Sequence, residues 1–181
     1  GTMAACLAEI HPLPISQVMV ESNFFAEFSP VQLVGLFSCF TDIKLPSDMR
    51  SSRPDCSDTF LNNKIKDIEN AYNSYQDQEL QDGLNTGIDY NDALCYDIID
   101  FSMIWCECTT EQDCKSFIQN EVAGKSVSIG DFTKSMLKIV TIAKEFMNIE
   151  EITGNIELMH KLNQIEGLVL KYVTTSQSLY V

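Results

Sequence analysis

The sequence predicts an all-α fold, a compact bundle of about six to eight helices, on three observations. Apolar residues recur at three- and four-residue spacing in one segment after another. Residues that cap helix starts stand just before several of those segments. No stretch shows the sustained period-two alternation, rich in β-branched residues, that strands need. The 181 residues fit one domain, and a chain of ~150 residues already buries roughly 68–70% of its unfolded surface.

The elements follow in order. Ser29-Pro30-Val31-Gln32 predicts a helix start twice over, as a capping box and as proline at the first helical position. The helix it opens carries Val31, Leu33, Val34, Leu36, Phe37 and Phe40, apolar nearly all round, and should be buried. Leu45-Pro46 and Ser51-Ser52-Arg53-Pro54 read as loops. Leu61, Ile65, Ile68, Tyr72 and Tyr75 then predict a long amphipathic helix with an acidic, Asn/Gln-rich outer face, broken between Gly83 and Gly87. Tyr90, Leu94, Ile98, Phe101 and Trp105 predict another, with Asp92, Asp97 and Asp100 turned to water. Thr110 with Asp113 caps a shorter helix bearing Cys114, Phe117, Ile118 and Val122, and 123–127 reads as a turn. Ser128-Ile129-Gly130-Asp131 opens a helix with Phe132, Met136, Ile139, Ala143 and Phe146 on one face; Thr153-Gly154-Asn155 ends it. Leu158, Leu162, Ile165, Val169, Tyr172, Ser176 and Leu179 predict a last helix that runs to the C-terminus, with Tyr172, like Trp105, a core residue.

The net charge is −14, unevenly spread. Residues 55–100 hold eleven acids against Lys64 and Lys66, whereas from 101 onward seven lysines face ten acids. A general nucleic-acid surface is excluded, because phosphate affinity needs clustered cations, and any RNA contact must be local and in the C-terminal half. No apolar run approaches the roughly 20 residues of a membrane span, and no secretory signal is visible. The cysteine count, seven, is odd, which favours reduced, intracellular thiols.

Few motifs carry chemistry. Gly124-Lys125-Ser126 ends like a phosphate-binding loop, but the motif needs glycine at 119, where Gln stands, and no apolar strand precedes it. Cys106-x-Cys108 followed by Cys114 lacks the paired spacing of zinc sites, and His11 and His160 are the only histidines. There is no Gly-x-Ser-x-Gly elbow. The expectation is therefore a chain with no catalytic residue, no cofactor and no metal of its own. One helix face stands out: Lys134, Lys138 and Thr141 fall at i, i+4 and i+7, opposite Phe132, Met136 and Ile139. Spacing alone favours a plain solvated face.

Several stretches resemble one family in family order. Phe28–Phe40, FSPVQLVGLFSCF, is similar to the L-S/T-P-E-Q-x-x-A-L-L-S-C-F segment of the DSHCT domain, which closes the superkiller-type and exosome-associated DExH-box RNA helicases. Tyr90–Glu107 resembles a family helix ending in Trp, and Ile129–Phe146, IGDFTKSMLKIVTIAKEF, resembles its E-G-S/D-F/I/L-x-R-x-x-K/R-R/K-L helix. Thr153–Asn155 and the final Ser178–Val181 resemble the family's I-G-N-x-x-L turn and terminal S-L-Y-L/V; the opening GTMAA resembles K-G-x-x-A. The resemblance spans 1–181 and implies a C-terminal helical bundle of a larger ATP-dependent 3′–5′ RNA helicase, non-catalytic in itself, with ATP and Mg belonging to the parent chain.

It further implies that the bundle packs on the parent's RecA-like domains and that 129–147 is a ratchet helix beside single-stranded RNA. The RNA-binding residues would be Lys134, Lys138 and Thr141. At Lys138 the family usually has Arg, and at Thr141 an acidic partner; lysine lacks the planar fork of arginine, and threonine lacks the charge. Residues 55–86 depart from the family pattern. The partners implied are the RecA-like domains, single-stranded RNA and exosome or adaptor proteins, with no membrane, the domain being a monomer in the nucleus or cytoplasm of a cell or of viral origin. The alternative is a self-standing acidic helical module that binds another protein.

Overall fold

The computed structural model describes residues 15, 17–18, 23–43, 45–52, 54, 56–90 and 93–172. Among them no strand occurs. The seven α-helical segments are α1 (Pro30–Ser38), α2 (Thr59–Asp82), α3 (Ile99–Glu107), α4 (Glu111–Phe117), α5 (Ile129–Thr153), α6 (Ile156–Asn163) and α7 (Ile165–Val169). The last two are separated by the single residue Gln164.

The central element is α1. Its start is the predicted box: Ser29 Oγ accepts the Gln32 amide at 3.2 Å and Gln32 Oε1 accepts the Ser29 amide at 2.9 Å. Leu33, Val34, Leu36 and Phe37 are essentially inaccessible, and α2, α3, α5, α6 and α7 all pack against this helix. A Cβ on Gly35 would lie 2.7 Å from Leu61 on α2 and 2.8 Å from Met103 on α3, so glycine sets the closest approach of three helices. The Gln32 side chain also donates to Asp58 at 2.8 Å. Asp58 is the N-cap of α2, accepting the Leu61 amide, and these two donors hold its carboxyl below the usual range.

Two aromatic clusters fill the core. Phe25 and Phe37 sit on Phe146 of α5, the Phe37 ring stacked at 5.3 Å. Phe101, Trp105, Phe117 and Phe132 form the other; Trp105 meets Phe132 edge-on at 5.2 Å. Trp105 is fully buried, as its stripe predicts, and its indole N–H donates to the Val169 carbonyl at 2.9 Å.

Four expectations fail. The helix predicted from Tyr90 begins only at Ile99. The approach to it is bound elsewhere: the Cys95 amide donates to the Cys39 carbonyl at 2.7 Å. Asp97 and Asp100 are not simply hydrated. Asp97 accepts the Ser51 amide at 2.6 Å and Asp100 the Ser57 amide at 3.0 Å, so both pin the preceding loop; Asp92 lies outside the described residues. The helix predicted from Leu158 breaks at Gln164, and α7 stops at Val169, whose carbonyl Trp105 has taken. The chain turns at Leu170 (φ −96°, ψ 87°), and Tyr172 sits at φ 47°, 43% exposed, so it is not core. Lys171 bends back to the Cys106 and Cys108 carbonyls at 3.0 and 2.5 Å. Ser176 and Leu179 lie outside the described residues.

A smaller difference lies after α4: Ile118–Val122 is a π-helical turn, which keeps Phe117, Ile118 and Val122 all buried.

Candidate nucleic-acid interface

The predicted ratchet helix is α5. Ser128 caps it, its Oγ accepting the Asp131 amide at 3.0 Å, and Gly154 ends it at φ 78°, with Asn155 capping α6 through the Leu158 amide. Phe132, Met136, Ile139, Ile142, Ala143, Phe146 and Ile149 bury one side over most of its length. The opposite side presents Lys134, Leu137 and Thr141 exposed, with Lys138 half-buried between them.

The three predicted residues do not behave alike. Lys134 and Lys138 line a common cleft of about 440 Å³, shared with Asp42, Ile43, Asp131 and Ser135. Thr141 lies a turn further on and outside the lining; its hydroxyl donates to the Leu137 carbonyl of its own helix at 3.1 Å. Lys138 is engaged, its ammonium 2.8 Å from Asp42 Oδ2. Beyond Asp42 and Ile43, which belong to both, opens a second cleft of about 430 Å³ lined by Arg50, Tyr96, Asp97 and Ser47. Lys144 pairs with Glu166 at 3.6 Å.

Sequence reasoning did not single out Asp42 or Arg50. Both stand between the elements read from the sequence, and the approach of Asp42 to α5 follows the packing of α1 rather than any local period.

Each cleft mixes signs: two lysines against Asp42 and Asp131 in the first, Arg50 against Asp42 and Asp97 in the second. Such a surface gives short-range, directional contacts rather than long-range attraction. Burial pushes the Cys106 thiol up to about 12 and the Cys95 thiol to about 11, so both are protonated at neutral pH. Among the described residues no group of three His, Cys, Asp or Glu side chains is placed to hold a metal ion, and no helix is long and apolar enough to cross a membrane. Cys39, Cys95, Cys106, Cys108 and Cys114 stand in no disulfide. Gly124-Lys125-Ser126 closes a turn, with Ser126 at φ 58° and the Lys125 ammonium 5.8 Å from the Phe101 ring centre.

Compared with known families, residues 1–176 match the model described as the DSHCT (NUC185) domain. No curated protein matches the chain.

Proposed function

The chain belongs to the DSHCT (NUC185) domain family, a domain of superkiller-type DExH helicases, and from that premise we propose that it is the C-terminal helical domain of an ATP-dependent 3′–5′ RNA helicase. It performs no chemistry itself. It packs on the RecA-like domains of the parent chain, which bind ATP and Mg, and sets α5 beside single-stranded RNA during translocation. Lys134, Lys138 and Thr141 form the RNA-facing stripe. The parent acts inside the cell, in nucleus or cytoplasm, alongside exosome or adaptor proteins.

The observation that carries this reading is the two-sidedness of α5. One face is buried from Phe132 to Glu150, and the other offers two lysines beside an open cleft. A strand drawn past a helix needs a support that does not move with it, and burial of the far face from Phe132 to Glu150 supplies one. Charge sets the limit. Two lysines give few phosphate contacts, and a net charge of −14 opposes RNA at long range. The isolated domain is expected to bind RNA weakly or undetectably at physiological salt, the RecA-like domains supplying most backbone contacts.

The test is Lys138→Glu in the complete helicase chain. Unwinding is expected to fall more than RNA-independent ATP hydrolysis. One observation favours a second reading, an acidic protein-interaction module: the distal end of α2 stands away from the core, with Leu80 75% and, just past the helix, Leu84 61% exposed. Unchanged unwinding in Lys138→Glu, together with its loss on substituting an outward acid of α2, would make that reading the better one.

A further inference from the structure

Lys138 already holds an acceptor. Its ammonium lies 2.8 Å from a carboxylate oxygen of Asp42, delivered by the segment that follows α1, 96 positions away in sequence. The pair is asymmetric: the Lys138 side chain is 21% exposed and the Asp42 side chain 86%. The lysine is therefore seated against the domain, and the carboxylate is the partner that can leave. Both line the α5 cleft, and Asp42 also walls the second cleft, so it stands at their junction. Asp131 and Lys134 face the same first cleft, but it is Asp42 that is in contact with Lys138.

A carboxylate oxygen and a non-bridging phosphate oxygen are equivalent acceptors for an ammonium, which binds either as a point charge. We infer that Asp42 occupies the place of an RNA backbone phosphate on Lys138, so that RNA enters this cleft by exchange, displacing Asp42 and being displaced by it. The inference rests on the proposed RNA contact of α5. Asp42 is a positioning residue in this scheme. With the cleft empty it holds the ammonium at the cleft mouth; with RNA bound it is an internal competitor. Exposed ion pairs are weak, so exchange is easy in both directions. That suits a contact which must be made and broken as a strand advances.

The experiment measures equilibrium binding of a fluorescein-labelled oligouridylate to the complete helicase chain without nucleotide. The proteins are wild type, Asp42→Asn, Lys138→Gln and the double variant, each checked for its melting temperature, with Asp42→Ser as a second version of the first. Asp42→Asn and Asp42→Ser are expected to tighten binding by roughly two- to five-fold, the range an exposed ion pair allows. Lys138→Gln is expected to weaken it, and the double variant to match Lys138→Gln. If the Asp42 variants tightened binding equally in the Lys138→Gln background, Asp42 would act only as a general negative charge, and the exchange idea would be overturned. If they left affinity unchanged while Lys138→Gln weakened it, the exchange would be overturned and the RNA stripe kept. If Lys138→Gln itself had no effect, the stripe and the exchange would both fall.

Discussion

The two long helices are nearly matched in length, 24 residues in α2 and 25 in α5, yet they rest on the domain in different ways. Both begin at a side-chain cap and end at a left-handed glycine, Gly83 at φ 64° and Gly154 at φ 78°. Buried residues run from Phe132 to Glu150 in α5 but only from Leu61 to Tyr72 in α2. At 1.5 Å per residue, the last ten residues of α2 extend about 15 Å beyond its buried stripe. The caps decide where a helix starts and stops; the apolar stripe decides how much of it is held. Two helices with equal ends can thus be a rigid support in one case and a projecting arm in the other.

The comparison makes quantitative demands. The largest is on the side that α5 rests against. Trp105→Ala should cost on the order of 3–5 kcal/mol, since it removes a fully buried ring from contact with Phe132 and leaves the Val169 carbonyl without its indole donor. Thermal melting measures it, and an unchanged midpoint would show that α5 does not depend on this cluster. Next come the two glycine ends. An alanine at either left-handed position costs roughly 1–2 kcal/mol locally, with no neighbour within 4 Å to add a clash. In Gly154→Ala the loss should appear in the global transition, because the turn joins α5 to α6. In Gly83→Ala it should appear only as faster amide exchange near the end of α2. Equal effects on melting would mean that the end of α2 is as firmly held as that of α5. The smallest effect is expected at Leu80→Ala, within about 0.5 kcal/mol, because the side chain is 75% exposed. A larger loss in melting would place Leu80 in a packed contact.

The sequence announced the start of α1 and both ends of α5 because their signals are local. Ser29 with Gln32, Ser128 with Asp131 and Gly154 with Asn155 are contacts between residues at most three apart in the chain. What it hid came from distance. Leu94 and Ile98 continue the helical period of Trp105, yet the backbone before Ile99 bonds to Cys39, and the Asp97 carboxylate goes to Ser51. Tyr172 continues the period of Val169, but the Trp105 indole, 64 positions away, takes the carbonyl that the next helical turn would have used. The candidate interface divides along the same line. The i, i+4 lysines were visible as a stripe on α5. Asp42 was not, because its meeting with Lys138 is set by the packing of α1 against α5 and by no spacing along the chain.

The amide of Gln32 bears on the order of assembly. It closes the start of α1 through Oε1 and reaches the α2 cap through Nε2, joining segments 26 residues apart. Each helix start is closed by its own cap, and the bond from Gln32 to Asp58 ties the two caps together, so α1 and the first turns of α2 are expected to stabilise one another as they form. A loop of that size closes quickly compared with the pairing of Trp105 and Val169. The helix pair that forms first would then be the one whose second member carries the projecting end, which Thr86 and Tyr90 touch at Glu79 and whose root is already in place.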